Sequence, residues 1–298
     1  MSCSKGDKDD AEYGKRDDGG TVLNIPLTGS LQNPAFSPDD KYIVFTRFIK
    51  GYNEEPAEIY KFNLETEELT LLVSDGSGNV NLPGSSWKNL KIVFSSSRDP
   101  HDEIFIIGED KQPGDEIKVT SRSDKMAYEP TFSPDGNKLV FESHKVDVEG
   151  DGLITKYNVD GSSSYVELTG TNEDCRQPNW SPSGNKILYQ KKENGVWNIW
   201  TMNPDGSNKK QLTSNMGNCT DATFTTDGKE IVFSSDYQVD NANIYKISLD
   251  GGKLKKLSAF KGYDGAPSIS SDGKTLVFES SNSDPDNSSG TKIVLLKL

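Results

Sequence analysis

The chain has 298 residues and a formal net charge of -13 at pH 7. That charge argues against nucleic acid, whose phosphates need a basic face, and against simple adsorption to anionic lipid. The 32% of hydrophobic residues form no apolar run near the roughly 20 residues that cross a bilayer. The acidity itself reads as a device for solubility, with attraction of a cationic ligand or metal as the other reading.

The first stretch, Met1 to about Gly20, is charged and polar with one early cysteine. Such a segment cannot bury enough apolar surface to fold, so residues 1–20 are expected to be a disordered tether. Ser2-Cys3 fits the end of a lipobox, and Ser4-Lys-Gly-Asp-Lys-Asp-Asp10 follows it. This start resembles a mature bacterial lipoprotein of the Bacteroidetes type. The resemblance implies a lipid on Cys3 and a membrane anchor. It also implies a place in the cell envelope as an outer-membrane lipoprotein, facing periplasm or medium. A chance cysteine in an ordinary N-terminal segment is the other reading.

Residues 21–28, Thr-Val-Leu-Asn-Ile-Pro-Leu-Thr, are the first predicted strand. A unit then recurs six times. Each copy has a proline or alanine and, eleven residues later, an aromatic. The pairs are Pro34/Phe45, Pro83/Phe94, Pro130/Phe141, Pro178/Tyr189, Ala222/Phe233 and Pro267/Phe278. Copies lie roughly 45 residues apart, a period that signals a propeller or similar array. Within a copy an inner strand runs from the anchor into a turn such as Pro134-Asp-Gly136. Asp-Gly suits a tight hairpin because glycine takes positive φ without a clash. A second strand ends on the aromatic. A loop, a third strand such as Asn198-Ile-Trp-Thr-Met202 and a short outer strand complete the copy.

The expected fold is therefore all-β. It is a six-bladed β-propeller of four-stranded antiparallel blades over residues 21–298. Thr291–Leu298 looks like a third strand with nothing after it, so strand 21–28 is expected to join the last blade and close the ring. Closure removes two exposed edges, and Pro26 suits an edge position.

Pro178-Asn-Trp-Ser-Pro-Ser-Gly184 and Asn198-Ile-Trp-Thr-Met-Asn-Pro-Asp-Gly206 resemble TolB-type, WD-like propeller repeats. The resemblance covers residues 21–298 and implies a six-bladed propeller. TolB itself carries a further α/β domain before the propeller, which has no counterpart in the roughly 20 residues before Thr21, so a Tol-pathway role does not carry over. Copy two departs from the pattern, with Ser85 and Trp87 where copy three has Phe132 and Pro134. Trp87 either repacks its blade or stands exposed to stack on a ligand.

Candidate chemistry is sparse. Asp147, Glu149 and Asp151 alternate ahead of Gly152, like the first half of a calcium loop, but Asn158 stands where a bidentate glutamate is needed. A solvated acidic turn and a weak calcium site are both open, and Asp284-Pro-Asp-Asn287 is a weaker candidate. Otherwise no cofactor is expected. His101 and His144 are the two histidines, and no Gly-x-Ser-x-Gly or His-Glu-x-x-His motif occurs. Oligogalacturonate lyases share this style of propeller but use a histidine-rich metal centre, for which two histidines are too few. Cys175 and Cys219 occupy equivalent places in adjacent copies, as a disulfide or as two reduced thiols.

Recognition in a propeller falls to residues just before each inner strand, which rim the central funnel. Among these are Asn33, Asn81, Tyr128, Glu129, Arg176, Gln177, Asp221, Tyr263 and Asp264. Amides and acids can bond hydroxyls, and tyrosine offers a flat face; hydration of a water-filled channel is the plainer reading. The leading function is a non-catalytic binding or scaffold module, a monomer that presents this face to a protein, peptide or glycan. The alternative is a polysaccharide-active lyase or hydrolase using funnel carboxylates.

Overall fold

The computed structural model describes Tyr13 and residues 16–74, 80–81, 87–88, 90–99, 101–283 and 290–298, the side chains of 80, 81, 87 and 88 excepted. Cys3, Ser85, the side chains of Asn81 and Trp87, and the motif at 284–287 lie outside the described residues. All regular structure among the described residues is strand, and no helix is long and apolar enough to cross a membrane.

Six antiparallel sheets follow one another as six blades. Blade 1 comprises Ser30–Phe36, Tyr42–Phe48, Ala57–Asn63 and Leu69–Ser74. Blade 3 comprises Lys125–Phe132, Lys138–Lys145, Leu153–Asn158 and Val166–Glu167. Blades 4 and 5 repeat this order from Asp174 to Gln211 and from Cys219 to Lys256. In blade 2, Val80–Asn81 and Trp87–Lys88 both pair with Lys91–Ser96, which pairs in turn with Glu103–Gly108.

Blade 6 takes Tyr263–Ile269, Thr275–Ser281 and Lys292–Lys297 from the end of the chain and Thr21–Val22 from its start. Thr21 pairs with Leu295 and Val22 with Val294, and the Leu23 amide donates to the Ile293 carbonyl at 2.9 Å. The ring closes as expected, through a shorter strand than 21–28. Beyond Leu23 the segment leaves the sheet, and Ile25 drops into a core with Leu31, Phe45 and Ile293.

The repeat anchors are the core. Phe45, Phe94, Phe141, Phe233 and Phe278 are completely buried, and Tyr189 nearly so. Each such ring withdrawn from water contributes roughly 1.5–3 kcal/mol. The cores lie between blades: Val44, Phe48 and Leu72 of blade 1 pack with Ile92, Phe94 and Phe105 of blade 2. Cys175 and Cys219 are free thiols buried in different clusters. Burial pushes Cys175 up to about 12 and raises Cys219 as well.

The Ser-Pro-Asp-Gly turns share one set of bonds. Ser133 Oγ donates to Asp135 Oδ1 at 2.6 Å, the Gly136 amide to the Ser133 carbonyl at 2.8 Å, and the Asn137 amide to Asp135 at 3.0 Å. Gly136 has φ 74°, which only glycine adopts freely.

Ahead of the first strand, the charged segment does not all project into solvent. Arg16 is 8% exposed. Its Nη1 and Nη2 donate to Asp264 Oδ1 and Oδ2 at 2.7 and 2.8 Å, and Nη2 also donates to Asp18 Oδ2 at 2.6 Å. The guanidinium stacks on Phe260 and Phe278 at 4.5 and 5.1 Å. Tyr13 lies parallel to Phe260 at 5.4 Å. Burial works against the charge of Arg16, but the bonds to Asp264 and Asp18 outweigh it and raise its pKa.

Candidate binding cleft at the funnel face

The inner strands are interrupted at one recurring point. Asn33, Glu129, Gln177, Asp221 and Ala266 have φ of 51°, 49°, 48°, 54° and 46°, a left-handed conformation uncommon outside glycine. Each stands before the anchor proline or alanine, and in all five blades the register with the second strand shifts there. The result is a bulge that turns these residues toward the axis. Asn33, Glu129, Gln177, Asp221 and Ala266 pinch the channel to a space of about 30 Å³. That holds a water or two and no organic ligand.

Neighbouring blades hold these left-handed residues in place. Glu279 Oε2 accepts the Asn33 amide at 2.9 Å, Glu142 Oε2 accepts the Gln177 amide at 3.0 Å, and Gln177 Oε1 accepts the Asp221 amide at 3.0 Å. Glu142 and Glu279 directly follow the anchor aromatics Phe141 and Phe278, a position not singled out in the sequence. Glu279 is 2% exposed. Its Oε1 accepts the hydroxyls of Tyr263 at 3.1 Å and Tyr52 at 3.3 Å. Burial pushes Glu279 up to about 7.

The expected rim therefore divides. Tyr128, Glu129 and Arg176 line one open cleft of about 770 Å³, together with Glu142, His144 and Asp174. Glu149 and Lys192 also line it. Asn33, Gln177 and Asp221 belong to the axial constriction, and Tyr263 turns onto Glu279. Asp264 is not part of the rim: it is fully buried, because Arg16 covers and neutralises it. Asn81 pairs with Ser95 through its backbone.

Within the cleft, His144 Nε2 lies 2.7 Å from Glu142 Oε1, and Nδ1 lies 3.5 Å from Asp151 Oδ1. Burial works against an imidazolium, but Glu142 outweighs it and the pKa of His144 is raised. The Tyr128 ring meets His144 edge-on at 5.6 Å, and its hydroxyl donates to Met126 Sδ at 3.2 Å. Burial, then the charge of Asp102, raises the Tyr128 phenol; burial pushes Asp102 itself up to about 6. Arg176 Nε and Nη2 donate to the two oxygens of Asp174 at 2.9 and 3.3 Å, and the guanidinium lies 5.2 Å from the Trp197 ring centre. The cleft thus offers carboxylates, an arginine and a tyrosine face around one concavity.

The acidic loop borders this cleft. Asp151 accepts the Lys145 amide at 3.2 Å and faces His144, while Glu149 lines the cleft and Asp147 takes φ 62°. Among the described residues no three His, Cys, Asp or Glu side chains converge as metal ligands.

A family model described as the TolB beta propeller domain matches residues 27–195 and 166–294. The Tol-Pal system protein TolB of Francisella tularensis subsp. mediasiatica (strain FSC147) is 29% identical over 193 residues, which is 64% of this chain and 42% of that protein. The match thus spans less than half of that relative. Among solved structures, TolB from Acinetobacter baumannii superposes with a TM-score of 0.68 at 17% identity, covering 87% of this chain and 64% of that one. An oligogalacturonate lyase in complex with manganese gives a TM-score of 0.59 at 16% identity, covering 89% and 76%. At these identities the two structures speak for the fold alone.

Proposed function

This chain belongs to the TolB beta propeller domain family, and from that premise we propose that it is a non-catalytic binding and scaffold module of the bacterial cell envelope. The partner is a protein, a peptide or a glycan, held at the funnel face by a monomer whose N-terminal segment is anchored through lipid on Cys3. The observation that carries this reading is the cleft of about 770 Å³ beside the axis, within the size range of ligand sites. Tyr128 supplies an amphipathic ring and Arg176 a guanidinium oriented by Asp174, two residue types that dominate the energetics of recognition.

A second reading draws on the His144–Glu142 contact in the same cleft. A histidine with a raised pKa beside a carboxylate can move a proton, so a lyase or hydrolase of polysaccharides is the competing function. Incubation with a polysaccharide panel separates the two. Binding without product release supports the module, and product release that His144→Gln abolishes supports the enzyme. For the module, Arg176→Ala with Tyr128→Ala is expected to weaken partner capture from envelope extracts at least tenfold; unchanged capture removes the cleft as the site.

A further inference from the structure

The connection between the second and third strands of blade 1, residues 49–56, is longer than the fold requires. In blade 4 the same connection is the turn Asn194-Gly195. The loop of blade 1 doubles back on itself. The Ile49 amide donates to the Pro56 carbonyl at 3.0 Å, and the Glu54 amide to the Gly51 carbonyl at 3.3 Å. From this base its side chains reach other blades. The Tyr52 hydroxyl donates to Glu279 Oε1 of blade 6 at 3.3 Å, and its ring meets Tyr263 edge-on at 6.4 Å. Asn53 lines the funnel cleft with Tyr128 of blade 3 and Arg176 of blade 4. In blade 2, burial and then the charge of Glu55 raise Asp102. The loop therefore lies across the mouth of the funnel.

Glu279 is the group that this loop covers. Four groups face the carboxyl: the Asn33 amide of blade 1, the Tyr263 hydroxyl of its own blade, the Tyr52 hydroxyl of the loop and Asp221 of blade 5. The three donors are neutral and the fourth group is a second acid, so an ionised Glu279 has no cation to offset its loss of water. Burial, and after it the charge of Asp221, raises its pKa. Asn33, Tyr263 and Asp221 all belong to strands. Tyr52 does not; it is half-buried on a loop, and it alone can move aside without undoing a blade.

We propose that residues 49–56 form a lid over the funnel cleft, held shut by Tyr52 on Glu279 and released when Glu279 ionises. The proposal rests on the binding role given above and adds how that site is controlled. Closing the loop keeps water from the carboxyl, which favours its neutral form; ionisation in turn favours the arrangement in which water reaches it. The sign follows from the covered carboxyl being pushed up to about 7 from 4.5. Closure is fully favoured at low pH, where the carboxyl is neutral with the lid open or shut. It is lost as pH rises through about 7. A partner thus meets a covered cleft in acid and an open one above neutrality.

Amide hydrogen exchange of the full chain tests the lid. No ligand enters the measurement, so failure of the binding role would not alter its result. Protection of the amides of residues 49–55, taken relative to their intrinsic rates, should fall at least about tenfold between about pH 5.5 and about pH 8.5. The midpoint should lie near 7, and the central strand of blade 4, Ile187–Glu193, should stay constant. Glu279→Gln is neutral throughout and should keep the lid shut at both values. Tyr52→Ala should leave it open at both, and its place on a loop spares the blades. Asp102, pushed up to about 6, and His144, also raised, titrate in the same window. A step that persists in Glu279→Gln would pass control to them and overturn the proposal. Equal protection at both pH values in the parent, or a lid in Tyr52→Ala that exchanges like the parent's, would overturn it as well.

Discussion

Arg16 supplies the sharpest test of the packing. The side chains of Arg16 and Asp264 are 2% and 0% exposed, so Arg16→Met strands a carboxylate with Ser280 Oγ, at 2.6 Å, among its few donors. It also removes the guanidinium from the faces of Phe260 and Phe278. Breaking a buried pair from one side costs roughly 3–5 kcal/mol. Asp264→Asn should cost less, near 3 kcal/mol, because Arg16 keeps Asp18. For a domain of this size, about 3–5 kcal/mol corresponds to a fall in melting midpoint of about 5–15 °C. The assay is urea unfolding followed by tryptophan fluorescence, for both single variants and the double. The double variant should lose less than the sum of the singles, by about 1 kcal/mol or more. Because the pair is buried, the costs should change little in about 0.5 M salt. If Arg16→Met stayed within about 0.5 kcal/mol of the parent, the range of an ordinary surface change, the N-terminal segment would not seal Asp264.

Three further outcomes are expected. Glu279 has its pKa raised from 4.5 to about 7, so the folded state binds the extra proton. Its penalty is absent below the unfolded value, grows as pH rises from 4.5 to 7 and is complete above that. At about 1.4 kcal/mol per unit this is of order 3 kcal/mol. Glu279→Gln should flatten the corresponding loss of stability in denaturation curves taken across that window. Two more thiols should react with a disulfide reagent in denaturant than in the native protein, since Cys175 and Cys219 are buried with raised pKa values. Gly152→Ala would bring a Cβ to 2.7 Å from the Cys175 carbonyl oxygen. The loop at the edge of the cleft must then shift, at about 1–3 kcal/mol in thermal or denaturant melts.

The architecture was legible because it is written six times in local patterns. Every anchor aromatic named from the sequence is buried, and the two ends of the chain meet in blade 6. The site was less legible, because its key features depend on other blades. Asparagine and aspartate tolerate a left-handed backbone, so Asn33 and Asp221 gave a faint signal of the bulge. Glu129, Gln177 and Ala266 gave none. An acid directly after a buried aromatic, at Glu142 and Glu279, is a detectable break in an apolar strand, but its partner is an amide in the next blade. Arg16 sits in a run of charges that reads as a tether. Its burial depends on Asp264, far away in sequence, and no local pattern encodes that contact. The rim was assigned by equivalence of position, which places the backbones together but leaves undecided which side chains face the axis, the cleft or a neighbour.

The clasp between Thr21–Val22 and Val294–Leu295 also sets an order of assembly during synthesis. Blades 1 to 5 each draw on one contiguous stretch of chain and can mature as they leave the ribosome. The sixth cannot, because its outer strand emerges early and must idle until the final strand arrives. At translation rates of about 5–20 residues per second the delay is on the order of 15–55 s. Over that interval Arg16 and Thr21 have no counterpart to meet, and whatever first engages the leading segment competes directly with completion of the circle.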